Sequence, residues 1–84
     1  MFRNNMQDKP YVMEDGFTNL ANAIILQSVK DYRAALKTLK NNPFSIEANK
    51  EKFEGERFFR SKWFSRVTNI DGNMLIRRLQ EEVR

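Results

Sequence analysis

The chain is expected to fold as an all-α bundle of three or four helices. Three observations predict it. Apolar residues recur at spacings of three and four, no segment alternates in the manner of a strand, and only 3 glycines and 2 prolines interrupt the 84 residues. The expected helices cover about 18–41, 46–60, 62–68 and 71–83, behind an irregular N-terminal arm over 1–16. Residues 17–84 then make one domain, since a chain of this length leaves no room for two.

The arm contains Pro10 and the acidic pair Glu14 and Asp15 before Gly16, and it shows no periodicity. Thr18 is the expected N-cap of the first helix. From there Ala21, Ile25, Val29, Tyr32, Leu36 and Leu39 fall on one face, and the pair Asn42–Pro43 ends the run, because proline disfavours helix at the residue before it. Ser45 is the expected cap of the second helix, with Glu47 in its first turn suiting the helix dipole. Gly55 is a weak point within it, costing about 1 kcal/mol against alanine. Ser61 is placed to cap a restarted helix, so a break or kink is expected near Arg60–Ser61. Residues 68–70 read as a turn. Asp71 then caps a last helix whose apolar stripe is Leu75, Ile76, Leu79 and Val83.

Composition narrows the chemistry. The chain has neither cysteine nor histidine, which removes disulfides, thiolate nucleophiles, the usual zinc ligands and the commonest general base. An enzyme is not expected, and no cofactor is implied. Glu47, Glu51 and Glu54 share a helix face, but Lys50 between them, with Glu54 four residues on, points to an ordinary solvated face. The longest apolar run, Ala23 to Leu26, is far short of the roughly 20 residues that span a bilayer. With no signal-peptide pattern at the N-terminus, a cytoplasmic protein with no membrane partner is expected.

Net charge is +4, but it is unevenly placed. Residues 30–66 carry ten basic side chains against five acidic ones, +5, whereas 1–29 carry −1 and 67–84 are neutral. Lys30, Arg33, Lys37 and Lys40 stand at spacings of three, four and three, a row that suits a phosphate backbone. The plain alternative is a solvated face whose stems cover the edge of the core. Residues 57–66 pack four aromatics among Arg57, Arg60, Lys62 and Arg66. If one helix continues, Phe53, Arg57, Arg60 and Phe64 share a side, and Phe59, Trp63 and Val67 share its neighbour. Phe59, Trp63 and Phe64 are assigned to the core on that phase, with Phe58 turned toward a partner. A helix–turn–helix layout over 62–84 would offer Asn73, Arg77 and further residues such as Arg78 or Gln80 to a groove, against repulsion of phosphate by Glu81 and Glu82.

The segments AIILQSVKDYRAAL (23–36) and ERFFRSKWF (56–64), followed by Ile70–Asp71–Gly72 and Leu75–Ile76, resemble a family of small, functionally uncharacterised proteins carried by phages and prophages of Gram-positive bacteria. The resemblance covers about 20–83 and not the arm, and Lys62 stands where the pattern has an acidic residue. It implies a viral gene acting in a bacterial cytoplasm, in regulation, replication or inhibition of a host protein. It carries no catalytic residue and no ligand.

The expectation is therefore a non-enzymatic binding protein. The leading partner is nucleic acid, DNA ahead of RNA, met by the basic and aromatic surface. The alternative is a host or anti-phage defence protein, such as a CRISPR nuclease, bound through the aromatic–arginine segment. A homodimer is a further expectation, because so small a core leaves an apolar surplus.

Overall fold

The computed structural model describes residues 9–84, with side chains described from Gly16 onward. Four helices follow one another: α1 (Lys9–Asn41), α2 (Ile46–Phe59), α3 (Lys62–Val67) and α4 (Gly72–Val83). No strand occurs among the described residues, and the all-α bundle is the one the periodicity predicts.

α1 has 33 residues, about 50 Å of helix, and it sets the 54 Å long axis of the molecule. It begins well before Thr18, so Thr18 lies inside the helix and is not its cap. Pro10 permits this, because it falls in the first turn, where a missing N–H costs no intrahelical hydrogen bond. Residues 9–16 of the expected irregular arm are thereby helical. Its first eight residues lie outside the described residues.

The other caps are the expected ones. Ser45 accepts from the Ala48 N–H at 3.2 Å, and Asn49 donates to the carbonyls of Pro43 and Ser45, tying the α1–α2 turn shut. Ser61 both ends α2 and starts α3: its hydroxyl donates to the Phe58 carbonyl at 2.7 Å and accepts from the Phe64 N–H at 3.2 Å. Asp71 Oδ1 accepts from the N–H groups of Asn73 and Met74 at the head of α4.

α2 runs back along α1, and α4 packs against both, with little contact to α3. The core joins Ile25, Tyr32 and Leu36 of α1, Phe59 of α2, Phe64 of α3, and Ile76 and Leu79 of α4. The Phe59 ring meets Tyr32 and Phe64 edge-on, with centroids 5.7 and 5.6 Å away. Two glycines let the helices close. A Cβ on Gly55 would lie 2.9 Å from Tyr32 Cδ1, and one on Gly72 would run into the backbone carbonyl of Phe59.

The assignment of aromatics changes at the break. Phe59 and Phe64 are buried as expected, but Trp63 is 38% exposed, and Phe58 is half-buried against Phe59, Trp63 and Phe64. Trp63 and Phe58 thus exchange the places given them by a single helical phase. The cause is Ser61, whose extended backbone restarts the count, so spacing measured across residue 61 no longer reports a common face.

Candidate functional site

Glu56, on α2, organises the polar side of the bundle. Its Oε2 accepts from the Tyr32 hydroxyl at 2.7 Å, from Gln80 Nε2 at 3.3 Å and from Lys52 Nζ at 3.0 Å, and Gln80 also donates to the Tyr32 oxygen. Three helices are pinned at one carboxylate. Burial works to raise the Glu56 carboxyl, but the Tyr32 hydrogen bond, Lys52 and Arg60 together outweigh it and hold it below the usual carboxylate range. Burial, then the bond to Glu56, pushes the Tyr32 phenol well above its ordinary value. Tyr32 is almost wholly enclosed and Glu56 is taken up by donors from three helices, so the cluster is an internal clasp. Sequence spacing could not reveal it, since Tyr32 and Glu56 are 24 residues apart.

The predicted row on α1 is divided by α4. Arg33 makes a two-pronged contact with Glu82, at 2.8 and 3.1 Å, and Lys40 Nζ donates to the Arg84 carbonyl at 3.3 Å. The Arg33 bond holds the Glu82 carboxyl below its ordinary value, and Glu82 in turn raises the Arg33 guanidinium. Lys30 and Lys37 remain exposed. Half of the row is thus engaged within the fold.

The outer face of α2 carries more. Ile46, Lys50, Phe53, Arg57 and Arg60 follow at spacings of four, three, four and three, a continuous line opposite the buried Ala48 and Phe59. Ile46 and Phe53 are 86% and 65% exposed, and Phe44, just before the helix, is 89% exposed. Lys50 makes no ion pair with Glu54; Glu56 instead pairs with Lys52 at 3.0 Å and, at a longer 3.9 Å, with Arg60. Arg60 Nε donates to Asn73 Oδ1 at 2.8 Å, which brings the head of α4 onto the same surface, and Arg77 stands exposed one turn beyond Asn73. A shallow cavity of about 430 Å³ lies here, lined by Phe53, Glu56, Arg57, Arg60 and Ser61.

The remaining predicted contacts are scattered. Lys62 and Arg66 project from α3, one turn apart and exposed. Phe58 is withdrawn into the aromatic cluster. Gln80 is taken by Tyr32 and Glu56, so α4 cannot present it to a groove. The structure therefore unites Arg57, Arg60, Asn73 and Arg77, and it separates them from the α1 row. The sequence reading placed no contact at Phe44, Ile46, Lys50 or Phe53; for the last three the four–three spacing from Ile46 onward was the available signal.

Between α1 and α2 lies a groove of about 310 Å³ of the opposite sign. Asp31, Glu51 and Glu54 line it, with Ser28, Tyr32, Gly55 and Phe58. No three carboxylates among the described residues are gathered closely enough to hold a metal ion. No helix among the described residues is long and apolar enough to cross a membrane. No family model, curated protein or solved structure matches the chain.

Proposed function

We propose that this is a non-enzymatic binding protein that associates with nucleic acid through the outer face of α2 and the head of α4. The observation that carries the reading is the line Lys50, Phe53, Arg57 and Arg60, which sets exposed cations beside an exposed ring and is extended by Asn73 and Arg77. Cations supply salt-dependent phosphate contacts, and a flat ring supplies a surface for bases. The excess of +5 in residues 30–66 supports the same partner class. In the phage setting that the family resemblance implies, the protein acts in the host cytoplasm on phage gene expression or replication.

Titrating labelled single-stranded and duplex DNA from about 50 to 200 mM salt tests the reading; affinity falls at least tenfold where several phosphates are contacted. Absence of binding even at the low-salt end rejects it.

A second reading has its own observation. Phe44 and Ile46 are the most exposed large apolar side chains of the described residues, and neither offers anything to a phosphate. They favour a protein partner, such as a component of host defence, anchored by apolar side chains with Arg57 and Arg60 at the rim. Capture from infected lysate with and without nuclease separates the two, since a protein partner survives digestion.

A further inference from the structure

We infer that Phe53 is a stacking platform for an unpaired base, flanked by Lys50 and Arg57 as seats for the phosphates on either side, so that the α2 face selects single strands over duplex. The inference rests on the nucleic-acid reading above and specifies its ligand. Phe53 is 65% exposed on a helix whose opposite side is committed to the core, so its ring is not needed for packing. Along the helix it stands about 4.5 Å from Lys50 and about 6 Å from Arg57, all three within one narrow arc of the surface. A cation on each side of an open ring matches the alternation of phosphate, base and phosphate in an extended strand.

The neighbouring cavity, about 430 Å³, gives a base room to lie against the ring, with Arg57 and Arg60 at its wall. Arg60 is steadied by Asn73 at 2.8 Å, so that wall is held in place before any ligand arrives. Duplex DNA is the poorer occupant. Its base faces are covered by their neighbours, and the grooves offer an exposed phenyl ring little beyond the thymine methyl group.

The test uses the full chain and three labelled probes of about 12 nucleotides, a size within the range of single-strand sites. They are a mixed-sequence DNA strand, the same RNA strand and the DNA duplex, read by fluorescence anisotropy at low salt. The expected result is binding of at least one single strand about tenfold or more above duplex, with the better strand naming the natural ligand. Phe53→Ala should lose about 5- to 100-fold in affinity for that strand with an unchanged salt slope, and Phe53→Trp should retain it. Arg57→Ala should instead reduce the slope by about 0.7, one phosphate contact on a single strand. Circular dichroism checks that each variant is folded. Equal or tighter binding of duplex, or full affinity in Phe53→Ala, overturns the stacking site while leaving nucleic-acid association intact. No binding of any probe overturns the broader reading itself.

Discussion

The Tyr32 hydroxyl donates to Glu56 Oε2 at 2.7 Å, and the Tyr32 ring lies over Gly55, one residue earlier on the same helix. Tyr32 is thus both the most enclosed large side chain among the described residues of α1, at 1% exposure, and the donor that settles a half-buried carboxylate. Gln80 closes the arrangement from α4. In a bundle with so thin a core, one polar clasp spanning three helices fixes how they sit against each other as much as the apolar contacts do.

Removing the hydroxyl leaves Glu56 without its shortest bond. Tyr32→Phe should cost about 1–3 kcal/mol, read from the midpoint of thermal or urea unfolding. A variant as stable as the parent would show the clasp to be incidental.

The same pair gives stability two pH limbs. Glu56 titrates lower in the fold than unfolded, so its contribution is complete above its unfolded value near 4.5 and is lost as pH falls through the lowered folded value. Tyr32 is raised, so its contribution is complete below its unfolded value of 10.0 and is lost as pH rises beyond it. Melting temperatures across about pH 3 to 11 should fall at both ends. Glu56→Gln should flatten the acid limb, and Tyr32→Phe the alkaline one.

Helix propensity alone says that Gly55→Ala stabilises α2 by about 1 kcal/mol. The fold says the reverse, because the new methyl would lie 2.9 Å from a ring that is 1% exposed and tied at its hydroxyl to Glu56, so the packing of α1 on α2 must shift. A net loss of about 1–3 kcal/mol is expected. Gly72→Ala should cost more, since its obstacle is the Phe59 backbone carbonyl and not a side chain. Thermal melts of both variants give the order directly.

The break at Ser61 makes Phe64 and Trp63 unequal. Phe64→Ala should cost about 3–5 kcal/mol, because the ring is 1% exposed and touches both Phe58 and Phe59. Trp63→Ala should cost only about 1–2 kcal/mol, in keeping with its partial burial. Chemical denaturation distinguishes them, and a larger loss at Trp63 would reverse the assignment.

Arg57→Ala combined with Arg60→Ala should leave unfolding within about 1 kcal/mol of the parent, since both side chains are exposed and Arg60 gives up one bond to Asn73 and a long surface ion pair to Glu56. The same pair should weaken nucleic-acid binding and its salt dependence together. Arg33→Ala with Lys40→Ala should weaken binding less, because α4 already engages both side chains. Parallel melts and titrations of the two double variants locate the binding face.

Much of this protein is written in local sequence. Four helices, the caps at Ser45, Ser61 and Asp71, the stop at Asn42–Pro43 and the apolar stripes of α1 and α4 all follow from residues within a turn or two of one another. Helix periodicity and capping are short-range effects, so a reading along the chain captures them. Four matters were decided only by tertiary structure. The docking of α3 beyond the break at Ser61 decided which of Trp63 and Phe58 turns toward the core. Glu82 reached Arg33 across 49 residues and took up part of the basic row. Tyr32, Glu56 and Gln80 met at one point from three helices, and Gly55 and Gly72 became close contacts where sequence showed only weak helix formers. Each depends on how whole helices dock, and docking is set by the summed packing of the core, which no local spacing encodes.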